Sequence, residues 1–153
     1  MDSGIEMFVS LTKKQADSTL GVFMKLPEDK RAWKATEKSR SAIDQIAEIA
    51  ILNSAISDVL KTFSFPADYD LNSFIQRKIE LCESWDELKK LYMSGTEAFL
   101  AELNKLDPAN LERSVHFPWG PMAVKEIMAM PYWNMAYHEG QITFIAVMLD
   151  VEL

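Results

Sequence analysis

The chain has 153 residues, with apolar residues at 48%, charged residues at 25% and a net charge of −7. That composition excludes wholesale disorder and a low-complexity filament, and the acidic balance argues against a nucleic-acid partner, which needs a basic face. The length predicts a single domain over residues 1–153, and the lone cysteine, Cys82, excludes an intrachain disulfide and a cysteine-based zinc site.

The start of the chain, Met1-Asp2-Ser3-Gly4-Ile5-Glu6, is acidic and lacks the basic residues and apolar run of a signal peptide. No stretch approaches the ~20 apolar residues of a membrane span. The expectation is a cytoplasmic protein with no membrane partner. Five glycines and six prolines are too few for the many tight turns of a sandwich or barrel, which favours helix.

Apolar spacing predicts a first helix over about residues 7–24, where Phe8, Leu11, Leu20 and Phe23 can share a face. Pro27 then disfavours helical geometry at Leu26 and marks a stop. The clearest helix covers about residues 41–61. Ser41 and Asp44, three apart, form a cap signal, and its many apolar residues predict burial on several sides. Residues 62–70 read as a loop carrying Phe63, Phe65 and Pro66. A third helical region spans about residues 71–106, with a break at the Ser84-Trp85-Asp86-Glu87 capping box. Residues 107–122 read as irregular, with Val115-His116-Phe117 as a short extended piece. The last helix covers about residues 130–150. Four main helices with short connections predict an all-α antiparallel bundle.

Two residues interrupt the apolar pattern. Glu48 is the only charged residue between Asp44 and Asp58. A carboxylate there either lies on an exposed stripe or points into a polar pocket, because burying it unpaired is costly. His138 sits mid-helix, with Asn134 four residues before it and Gln141 three after, so the three make a polar stripe. His138 is either a hydrogen-bonded core histidine or a functional one. His116 reads as a loop histidine or as a ligand on a pocket rim. Trp119, Tyr132, Trp133 and Tyr137 either pack in the core or line a cleft. Gly140 allows close approach of another helix, and Cys82 reads as a small hydrophobe with no activating neighbour. Phosphate-cradling glycine loops, dinucleotide fingerprints, Gly-x-Ser-x-Gly elbows and His-Glu-x-x-His motifs are absent from the sequence.

Residues 40–50, Arg40-Ser41-Ala42-Ile43-Asp44-Gln45-Ile46-Ala47-Glu48-Ile49-Ala50, together with Asn134-Met135-Ala136-Tyr137-His138-Glu139-Gly140-Gln141-Ile142, resemble the DinB/YfiT-like superfamily. The resemblance extends to Trp33-Lys34 and Phe117-Pro118-Trp119-Gly120. It implies an up-down-down-up four-helix bundle, a nickel or zinc ion held by three histidines, and thiol-dependent transferase or isomerase chemistry. It also implies a homodimer, with a small-molecule substrate or a low-molecular-weight thiol as partner. The implied metal positions fall on Glu48, Asn134 and His138, so only one of the three histidines is kept. The implied function is a metal-dependent thiol transferase or hydrolase with an altered metal site, in which Glu48 and His138 are catalytic. The alternative is a non-enzymatic bundle that binds a small ligand or serves as a structural dimer. Three arrangements stay open: a direct Glu48–His138 pair, a metal site completed by water or His116, and an acid–base pair in a metal-free pocket. Convergence of Glu48 and His138 on a cavity separates them.

Overall fold

The computed structural model describes residues 3–153. It is a helical bundle with one small hairpin. Helix α1 is Ser3–Lys25, α2 is Ala42–Thr62, α3 is Leu71–Cys82 and α4 is Trp85–Lys105. Strands β1 (Ser114–Phe117) and β2 (Gly120–Ala123) follow, then a single turn α5 (Val124–Ile127) and α6 (Met130–Met148). Single 3-10 turns at Glu28–Lys30 and Pro108–Asn110 punctuate the α1–α2 and α4–β1 connections. No helix among the described residues is long and apolar enough to cross a membrane.

The helix starts follow from local side-chain chemistry. Ser41 accepts the Asp44 N–H, Asp70 accepts the Ser73 N–H, and Ser84 accepts the Glu87 N–H. Each satisfies a backbone donor that has no partner inside its own helix. The third helical region therefore divides at Ser84 into α3 and α4.

Four helices form a ring, in which α1 meets α6, α6 meets α2, α2 meets α4 and α4 meets α1. Helix α3 lies outside the ring against α2 and α4. The core has two parts. One joins Ala16 and Phe23 of α1, Ile46 and Ala50 of α2, Tyr92 of α4, and Ile142 of α6. The other joins Ile5, Ile56, Leu60, Phe99 and Leu103 to Val115, Phe117 and Ile127. The buried stripe of α1 includes Thr12 and Thr19, which apolar periodicity alone passes over.

The close helix approach is not where the sequence placed it. A Cβ built on Gly140 meets nothing within 4 Å, whereas one on Gly95 stands 3.1 Å from the Ser54 nitrogen and 3.2 Å from the Ala50 oxygen. Glycine at 95 lets α4 press directly on the backbone of α2.

The sequence pattern predicts only the first strand of the hairpin. β1 and β2 pair antiparallel from Ser114↔Ala123 to Phe117↔Gly120. Gly120 has φ +126°, a conformation open to glycine, and it closes the turn after Pro118-Trp119. Strand alternation buries Val115 and Phe117 and turns His116 outward.

The aromatic residues of α6 also depart from expectation. Trp133 and Tyr137 stack on each other at 5.6 Å, yet they are 64% and 53% exposed. They are surface, not core, because the face of α6 turned toward α2 already carries Asn134, His138 and Ile142.

Candidate functional site

The polar centre lies between α2 and α6. Glu48 projects from a largely apolar stretch of α2 and meets His138, which is 1% exposed. His138 Nε2 stands 3.0 Å from Glu48 Oε1. His138 Nδ1 stands 3.0 Å from Gln45 Oε1 and 3.1 Å from Gln141 Oε1. Gln45 precedes Glu48 by three residues and Gln141 follows His138 by three, so helical spacing brings both amides onto the ring.

A charged relay continues outward. Arg40, just before α2, reaches Glu48 Oε2 at 2.8 Å and also donates to the Asp44 carboxylate. Lys78 of α3 contacts the second oxygen of Asp44 at 3.1 Å. Positions 40, 44 and 48 are one helical turn apart, so one arginine spans two carboxylates. The hydrogen bond from His138 holds the Glu48 carboxyl down at about 2, the Arg40 guanidinium adds to this, and partial burial opposes it.

The ring nitrogens of His138 face three oxygens. A ring nitrogen that carries a proton donates to the oxygens it faces.

Of the residues singled out from the sequence, the structure brings together Glu48, His138 and Gln141. Asn134 lies one turn before His138, buried, with its Oδ1 lacking a hydrogen-bond partner. His116 is exposed on β1, opposite Pro121, and lines neither cleft described below. Cys82 is half-buried, and burial pushes its thiol up, away from the thiolate. Sequence reasoning gave Arg40 and Gln45 no role and read Asp44 only as part of a helix cap. The available signal was the Arg-x3-Asp-x3-Glu spacing in a segment that is otherwise apolar.

A nickel or zinc ion would need the Nε2 lone pair of His138 and a free oxygen of Glu48. Nε2 is directed at Glu48, and the other Glu48 oxygen is held by a fixed cation. The Asn134 amide is a weak ligand for either metal. Among the described residues, no three His, Cys, Asp or Glu side chains gather into a ligand group. The residues present do not fit the ion that the resemblance implies.

Two clefts flank this centre. The first, about 450 Å³, lies between α2, α3 and the hairpin; Glu48 is at its edge, with Leu52, Phe65, Tyr69, Phe117 and Trp119 around it. Phe65 packs on Phe117 at 4.8 Å, and Trp119 packs on both. Trp119 is 62% exposed, so it forms a cleft wall instead of filling the core. The second cleft, about 460 Å³, lies on the other side of Arg40, between the 35–40 segment and the end of α6.

No protein-family model matches the sequence, and no curated protein is similar to it at the level of sequence. Solved structures are similar in fold. A DinB-like protein from Bacillus subtilis superposes with TM-score 0.72 at 16% identity, covering 96% of this chain and 94% of the other. An uncharacterised Escherichia coli protein gives 0.73 at 11% identity, over 97% and 96% of the two chains. A mycothiol-dependent maleylpyruvate isomerase gives 0.73 at 11% identity, and there 90% of this chain spans only 60% of the other. The chain is, in fold, a DinB-like helical bundle.

Proposed function

We propose that this protein binds a small molecule without a metal, in the aromatic cleft beside Glu48, and is not a metal-dependent thiol transferase. The observation that carries this reading is the closed Arg40–Glu48–His138 chain. It commits to one another the atoms that a metal would take, and it stands beside a cleft of ligand size. Binding sites of ~300–1,000 Å³ with apolar walls and few polar groups are the common form.

Acid–base chemistry is the weaker reading. A carboxyl held at about 2 is a poor proton acceptor, and at neutral pH it has no proton to give. His138, at 1% exposure, is screened from the cleft by Glu48. The pair is better suited to orienting a ligand's polar group than to turning it over.

The test is elemental mass spectrometry on untagged protein incubated with zinc and with nickel, paired with a titration of 1-naphthol read by tryptophan fluorescence. Metal far below one ion per chain, with saturable naphthol binding weakened at least tenfold in Trp119→Ala, is the expected result. Near one ion per chain, lost in both Glu48→Ala and His138→Ala, would overturn the metal-free reading. Naphthol binding unchanged in Trp119→Ala would overturn the choice of cleft.

A further inference from the structure

The second cleft differs in chemistry from the first. Its walls are Phe144, Ile145 and Met148 of α6, and its polar lining is Ser39, Arg40, Gln45 and Gln141. Gln45 is 2% exposed. The Oε1 atoms of both glutamines are taken up by His138 Nδ1, so their amide NH2 groups are what remains for the cleft. Among the described residues, the buried polar atoms without a partner are Thr12 Oγ1, Asn53 Oδ1 and Asn134 Oδ1. The two amide nitrogens are not among them, and no hydrogen bond among the described residues occupies them, so both are open to the cleft. The Arg40 guanidinium gives one nitrogen to Glu48 and two to Asp44, with its Nη2 shared between them. Its Nη1 is left over.

The cleft thus presents donors and no carboxylate. Glu48 and Asp44 stand behind Arg40 and do not line it. Convergent N–H donors, one set of them on a guanidinium, favour an anion, and a carboxylate suits a guanidinium and two amides. The apolar walls ask for a hydrocarbon or aryl body behind that head.

We infer that the cleft between the 35–40 segment and the end of α6 is a second binding site, for a carboxylate carrying an apolar body, with Arg40, Gln45 and Gln141 receiving the head and Phe144, Ile145 and Met148 receiving the body. This site stands apart from the aromatic cleft and does not depend on it.

The experiment is titration of the full chain with sodium decanoate and, separately, with decan-1-ol, followed by backbone amide NMR. Decanoate binding at least tenfold tighter than decanol, with shifts at Gly140, Phe144 and Met148, is the expected result. Gln141→Glu places a carboxylate among the donors on a half-exposed helix position, and it should weaken decanoate at least tenfold while leaving decanol within twofold. Equal affinity for the two probes would overturn the role of the donors. Shifts confined to Phe65, Phe117 and Trp119 would overturn the location. Absence of decanoate binding at millimolar concentration would overturn the site altogether.

Discussion

His138 and Glu139 are consecutive residues of α6, and each anchors a polar cluster on a different neighbour. His138 turns to α2 and joins a chain of full charges. Glu139 turns to α1, where its carboxylate accepts from Gln15, from Ser18 at 2.8 Å and from Thr19 at 2.9 Å, all neutral donors. The Glu139 cluster clips two helices together, and neither ligand cleft described above is lined by it. The His138 cluster has a cleft on either side. Burial of polar groups is therefore no mark of function by itself in this bundle. Proximity of committed charge to open volume is what separates the two.

Glu48→Ala should show the largest effect. It strands a buried imidazole and leaves Arg40 with one carboxylate, and chemical denaturation should record a loss of about 3 kcal/mol. If His138 and Glu48 act as one unit, the double Ala variant should cost less than the two single losses added together. Strict additivity would show that the two residues do not interact in solution.

The acid limb of the stability curve should come next in size. The Glu48 carboxyl is lowered in the folded state to about 2 from an ordinary 4.5. Its contribution is therefore complete above pH 4.5 and is lost as the pH falls through about 2; the expected size is roughly 2 kcal/mol. Glu48→Gln should flatten that part of the profile. A profile identical to wild type would place the acid sensitivity elsewhere.

Glu139→Ala is expected to cost about 1 kcal/mol, because Gln15 and Ser18 can turn to water when their acceptor is gone. A loss as large as that of Glu48→Ala would erase the distinction between the clusters. The smallest effect belongs to Gly140→Ala. With open space around the new Cβ, helix propensity should raise stability by up to ~1 kcal/mol, measurable as a higher Tm.

Much of the fold is legible in the sequence because its signals are local. Ser41 and Ser84 cap the helices they announce, and apolar spacing traces α2. The site is only half legible. Glu48 and His138 stand out as polar residues in apolar helices, but which atoms they offer to each other depends on how deeply α2 and α6 pack. Arg40 escapes notice because an arginine ahead of a helix looks like ordinary surface. The aromatic residues mislead for a related reason: periodicity finds a stripe on α6, yet it does not say which stripe faces inward when apolar residues occur on more than one side of the helix. Strand β2 is hidden because Gly120-Pro121-Met122-Ala123 has little strand propensity of its own and is held by pairing with β1.

Gly95 has a reach beyond its own contact. Helix α2 forms part of both clefts, and its depth is set on the opposite side, where α4 rests on the Ala50 and Ser54 backbone. A larger residue at 95 would push the two helices apart and move the floor of both clefts at once. Selection for ligand fit in this molecule can therefore act on a position that no ligand touches, and a search for specificity determinants confined to cleft-lining residues would miss the residue that gauges them all.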